Sequence, residues 1–128
     1  IVARGLSRQR GAELAARACA VVAGTPFVLD DGTTLHRTCS VGYATLPLAP
    51  KLPGALDWSV VVDLADAALY AVKRSGRNGW LGLVSAQADS AEALRAAAAL
   101  PLGEWQASGA LQIAHSPGVN LETPRDTG

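Results

Sequence analysis

Apolar residues 14, 15, 18, 19, 21 and 22 (Leu14, Ala15, Ala18, Cys19, Val21 and Val22) recur at helical spacing, with Arg10, Glu13 and Arg17 on the other side. The pattern predicts a helix over residues 8–23, stopped by Gly24 with Pro26 just beyond. Phe27-Val28-Leu29 then meets Asp30-Asp31-Gly32, and an Asp-Gly step between apolar or β-branched runs predicts a hairpin. The return strand is expected over roughly 33–44. Leu35, Arg37, Cys39 and Val41 lie on one side of it, and His36, Thr38 and Ser40 on the other. Gly42 inside that strand predicts a bulge or a close backbone approach.

Residues 46–56 hold three prolines and read as a loop. Asp57 suits the N-cap of a second helix, whose core stripe is Trp58, Val61, Val62, Ala65, Ala68, Leu69 and Val72. Its other face carries Ser59, Asp63, Asp66, Tyr70 and Lys73, and Gly76 is placed to end it in a left-handed turn. A short apolar strand follows over 80–84. Residues 85–128 read as a separate extension. Asp89 with Glu92 resembles a capping box before an Ala-rich helix that stops at Pro101, residues 110–115 suit one more strand, and the end is expected to fray beyond Pro117. At the other terminus Ile1-Val2-Ala3 reads as the tail of a strand that begins outside this chain, as the absence of methionine also suggests.

Composition narrows the function. The 128 residues are 49% hydrophobic and carry eleven basic and eleven acidic groups, enough for a core and too balanced for a bulk nucleic-acid binder. Phosphate chemistry, if present, has to come from a few placed residues. No apolar run approaches the roughly 20 residues that span a bilayer, and no signal peptide is evident. Cys19 and Cys39 lack metal-ligand spacing and read as buried free thiols in a reducing compartment. His36 and His115 have no nucleophile or carboxylate at a recognisable spacing, and Trp58, Trp80 and Trp105 read as packing residues.

Two stretches carry a resemblance. Thr38-Cys39-Ser40-Val41-Gly42-Tyr43-Ala44 is similar to a strand with a Ser-apolar-Gly centre, and residues 64–78 run Leu-Ala-Asp-Ala-Ala-Leu-Tyr-Ala-Val-Lys-Arg-Ser-Gly-Arg-Asn. The second resembles the closing signature of GGDEF domains, the diguanylate cyclase family: an Ala-Asp-x-Ala-Leu-Tyr-x-x-Lys helix followed by Gly-Arg-Asn. The resemblance covers residues 1–84. It implies an α+β fold, an incomplete nucleotidyl-cyclase-like (ferredoxin-like palm) antiparallel sheet with helices largely on one face. Missing strands would leave a sheet edge exposed.

The family joins two GTP molecules into cyclic di-GMP, a bacterial signal, across a homodimer of two facing domains. The resemblance therefore implies GTP and cyclic di-GMP as ligands, a second GGDEF domain as partner, an upstream sensory domain and a cytoplasmic location. The balanced charge argues against nucleic acid as a partner. The Gly-Gly-(Asp/Glu)-Glu-Phe hairpin, the Arg-x-x-Asp inhibitory motif and the carboxylates for Mg²⁺ (or Mn²⁺) would precede Ile1. No catalytic residue or metal ligand is expected here, and the chain alone should be inactive. The alternative is a degenerate, non-catalytic module that binds GTP or cyclic di-GMP, or a dimerisation module.

The cationic side of the pocket is what the resemblance leaves. Lys73 and Arg77 would contact the triphosphate, a mobile point charge beside a planar fork. The competing reading is that both complement a helix dipole. Arg17 matches a helix arginine used in product inhibition, or else pairs with Glu13 at i,i+4. Ser40, Gly42, Asp66, Tyr70, Gly76 and Asn78 are expected to be structural, with Asp66 tying its helix to neighbouring backbone.

Overall fold

The computed structural model describes residues 7–121; the strand expected at residues 1–3 lies outside them. The chain runs α1 (Arg10–Gly24), β1 (Phe27–Val28), β2 (Thr34–Leu35), β3 (Val41–Ala44), α2 (Trp58–Arg74), β4 (Trp80–Ala86), α3 (Ala91–Ala98), α4 (Leu102–Ala107) and β5 (Leu111–His115). The fold is α+β, with a two-stranded β1–β2 hairpin and a three-stranded sheet in the order β3-β4-β5.

That sheet corrects one expectation. β3 and β4 pair in parallel, Val41 opposite Trp80 through Ala44 opposite Leu83, while β4 and β5 pair antiparallel, so the sheet is mixed. The reason is topological. α2 crosses between β3 and β4, and a strand–helix–strand crossover returns the chain to the end where it started.

The return strand expected over 33–44 is also interrupted. The hairpin forms where the Asp-Gly step predicts it, with Phe27 opposite Leu35 and Asp31 Oδ1 accepting from the Thr33 amide at 2.8 Å. Pairing then stops after Leu35, and the chain resumes as β3 in the other sheet.

Each face of the sheet has its own helix. On one face, Leu81 and Leu83 of β4 are fully buried with Leu64, Ala68 and Val72 of α2. A Cβ on Gly42 would fall 2.6 Å from the Ala65 carbonyl oxygen, so this glycine lets α2 lie directly on β3. On the opposite face Tyr43 stands over Gly82, which leaves no room for a Cβ, and against Gly11 of α1. Tyr43 also stacks on Trp80, centroids 6.4 Å apart. α1 thus covers the reverse face, where the expectation put the helices largely on one.

Residues 85–121 are integral to the core. Leu94, Leu102, Trp105, Leu111 and Val119 share one buried cluster with Leu64, Val72, Leu81 and Leu83. Val119 lies beyond Pro117, so the chain does not fray there. The cap of α3 is Ser90, whose Oγ accepts from the Ala93 amide at 3.1 Å, in place of Asp89. α3 ends at Ala98, and Pro101 is the N-cap of the short α4 rather than a plain stop. The loop over 46–56 buries Leu48 and Ala49, and the Leu48 carbonyl accepts from the Ala86 amide at 2.9 Å.

Candidate functional site

Among the described residues, the C-terminal turn of α2 holds both non-glycine residues with left-handed backbone, Arg77 and Asn78. The Ser75 amide closes the helix on Ala71 O and Val72 O, and the Arg77 amide reaches back to Val72 O at 3.1 Å. This is the six-to-one bond of a Schellman motif with Gly76 in the left-handed position. The left-handed path then continues: φ is +113° at Gly76, +65° at Arg77 and +52° at Asn78. Asparagine tolerates that region, whereas arginine is held there at an energetic cost.

The turn is anchored from behind by the tail. Ser75 Oγ donates to Ala71 O at 2.8 Å and accepts from the Asn120 amide at 3.2 Å. Beyond it the Trp80 amide donates to Ser116 Oγ at 2.9 Å. The buried Gly79 has no room for a Cβ beside Ser116 Oγ and Val119. Strained residues thus sit on a support formed by side chains 75, 116 and 119.

Helical spacing puts Asp66, Tyr70, Lys73 and Arg74 on the exposed side of α2, and Arg77 extends the row past its end. The Arg74 guanidinium lies over the Tyr70 ring, 5.4 Å from its centroid, which makes Tyr70 a support for a cation. Among the described residues none of Lys73, Arg74 and Arg77 pairs with a carboxylate. The result is three cations at the end of a helix whose dipole is negative there, with a fixed turn presenting the third.

Asp66 is exposed and its side chain makes no hydrogen bond among the described residues, so it does not tie α2 to neighbouring backbone. Arg17 is exposed on α1, which lies across the sheet from α2. Its suggested partner Glu13 instead meets Arg10, at 3.8 Å between exposed groups. Ser40 is half-buried just before β3, and Gly42 serves the close approach to α2. His36 and His115 are both exposed. Among the described residues no group of three His, Cys, Asp or Glu could hold a metal ion. The donors for Mg²⁺ or Mn²⁺ do not fit here.

Two features escaped the sequence reading. The half-buried Arg8 guanidinium donates to Thr45 Oγ1 at 2.5 Å, to Val84 O at 2.9 Å and to Pro47 O, joining the start of α1 to the ends of β3 and β4. Cys19 and Cys39, separate in sequence, meet beside Gly79. The Cys19 thiol donates to Cys39 O at 3.7 Å and to Gly79 O at 3.5 Å. Burial and the adjacent Cys39 thiol push Cys19 up to about 11. The Tyr43 hydroxyl is buried without a partner among the described residues, and desolvation raises its pKa. Only helical registry could have hinted at the cysteine contact, and no sequence signal marks the Arg8 bonds.

No protein-family model matches the chain. A protein of Bacillus subtilis (strain 168) whose printed name is "Uncharacterized protein YhcK" is 38% identical over 72 residues. The match takes in 56% of this chain, which spans 19% of that protein's length. No solved structure matches.

Proposed function

We propose that residues 1–84 are the C-terminal part of a GGDEF domain, and that the Lys73–Arg77 turn is the triphosphate side of its GTP site. The observation that carries this reading is the left-handed run Gly76-Arg77-Asn78. A chain that only needed to leave a helix would use glycine and return to ordinary backbone, and strain of this kind is concentrated at functional sites. Holding Arg77 left-handed directs its fork from a fixed backbone, while Lys73, one turn earlier, supplies a mobile charge.

In this reading the two cations orient the triphosphate and neutralise its charge, so that the α-phosphate meets the 3′-hydroxyl of a second GTP held by a facing domain. Mg²⁺ or Mn²⁺ would supply the remaining charge stabilisation from carboxylates outside the described residues. The product is cyclic di-GMP, and Arg17, on the far face, is a candidate contact for product bound away from the active site. Among the described residues no helix is long and apolar enough to cross a membrane; a cytoplasmic setting is part of the proposal.

The test is kinetic, in a protein that carries this chain behind an intact Gly-Gly-(Asp/Glu)-Glu-Phe hairpin. Lys73→Ala and Arg77→Ala should each lower kcat/KM for GTP by about ten- to a hundredfold, since a charge-assisted hydrogen bond contributes about 1.5–3 kcal/mol. Arg77→Lys should fall between, keeping charge and losing the fork. Wild-type kcat/KM in both alanine variants would refute the site. GTP binding without turnover in the parent would instead favour the degenerate module.

A further inference from the structure

The two cysteines form a cluster that the nucleotide reading does not use. Cys19 is buried on the inner side of α1, and Cys39 is half-buried in the stretch between β2 and β3. The Cys19 sulfur lies 3.7 Å from the Cys39 carbonyl oxygen, which brings the two residues side by side. Residues 36–40 belong to neither sheet, so no strand ladder holds Cys39 in place. Of the pair, solvent reaches Cys39 and leaves Cys19 enclosed.

We propose that Cys19 and Cys39 are a peroxide-reactive thiol pair that closes to an intramolecular disulfide, tying α1 to the segment that enters β3. The Cys39 sulfur, as thiolate, attacks one oxygen of a hydroperoxide. The O–O bond breaks, Cys39 becomes a sulfenic acid, and the departing oxygen leaves as water or an alcohol after taking a proton. Cys19 sulfur then attacks the Cys39 sulfur. The S–O bond breaks, and the leaving hydroxide takes the Cys19 proton and departs as water. Two thiols are oxidised by two electrons and one peroxide is reduced, so the step balances. Burial keeps peroxide from Cys19, so the half-buried Cys39 is the entry point and Cys19 the resolving thiol.

Closure has a structural consequence. The Cys19 thiol donates to the Gly79 carbonyl at 3.5 Å, and that carbonyl also accepts from the Val41 amide at 2.9 Å. A disulfide removes the thiol donor from the residue that follows Asn78, so oxidation reports at the base of the α2 turn and at the first pair of β3.

The experiment uses the full reduced chain, hydrogen peroxide as the probe, and alkylation followed by intact-mass measurement. Both thiols should become inaccessible together with the loss of two hydrogens, and a thiol reductant should restore them. The rate should be unchanged on about tenfold dilution, as expected for an intramolecular step. In Cys19→Ser, the oxidised Cys39 should stop at a sulfenic acid that a dimedone probe traps. Three results overturn the proposal: a wild-type sulfenic acid on Cys39 that persists while Cys19 still alkylates after unfolding, crosslinks only between chains, or no oxidation of either thiol. The wild-type arms decide the matter whether or not the variant folds.

Discussion

At the scale of single residues, close approaches and buried thiols set the sharpest expectations. Gly42→Ala puts a Cβ against the backbone of Ala65 and Leu69, which cannot rotate away as a side chain could. It should destabilise the chain by about 1–3 kcal/mol or more, read as a lower denaturant midpoint at unchanged slope. Gly54→Ala, with nothing within 4 Å, should be nearly silent. Cys19 makes a second prediction. Its pKa is about 9 when unfolded and about 11 when folded, so the folded chain holds its proton more tightly. The stabilisation is complete below pH about 9 and is lost as pH rises towards 11. Unfolding measured across that window should lose stability faster in the wild type than in Cys19→Ala. Tyr43, raised by desolvation, contributes in the same direction in both.

At the scale of elements, the end of α2 separates two explanations of its cations. If Arg77 only complements the helix dipole, Arg77→Gly removes a favourable charge at a cost of about 0.3–1 kcal/mol, partly offset by relief at φ +65°. If the backbone is held left-handed for a ligand, relief dominates, and Arg77→Gly should be equally or more stable, by up to about 1 kcal/mol in thermal unfolding, while GTP affinity falls. A stability loss with unchanged affinity would return Arg77 to the dipole. Helix faces, by contrast, were only half legible. Periodicity correctly placed Val61, Ala68 and Val72 inward, yet Trp58 of the same stripe is 55% exposed and Leu64, outside it, is buried. The reason is that Leu64 enters the cluster that β4, α3, α4 and the tail build around α2, while Trp58, at the start of the helix, stays outside it. On α1 the same thing happens: Ala15 and Cys19 go in, Leu14 and Val21 stay out.

At the scale of the whole molecule, residues 85–121 complete the core. Trp105 is fully buried, although its indole N–H has no partner among the described residues. An unpaired buried donor costs about 1–3 kcal/mol, and the ring's packing outweighs it. Trp105→Ala should therefore lower stability by about 3–5 kcal/mol, measured by thermal or denaturant unfolding. A change of under 1 kcal/mol would show that the tail only leans on the sheet. Removing residues beyond 86 should expose Leu81 and Leu83 and cost cooperative unfolding altogether, because β4 would lose β5 and the cover above it.

Local chemistry was readable in the chain itself. The Asp-Gly turn, the helix end at Gly76 and the proline loop each depend on a residue's own conformational range or on its immediate neighbours. The proposal of phosphate contacts at Lys73 and Arg77 rests on a contiguous signature as well. Tertiary structure alone decided the parallel pairing of β3 with β4, the placing of α1 and α2 on opposite faces, the Arg8 bonds, the meeting of Cys19 with Cys39, and the entry of the tail into the core. These depend on contacts between residues 20 to 76 positions apart. Periodicity tells which residues are apolar and on which side of an element they fall; it carries no information about what stands opposite.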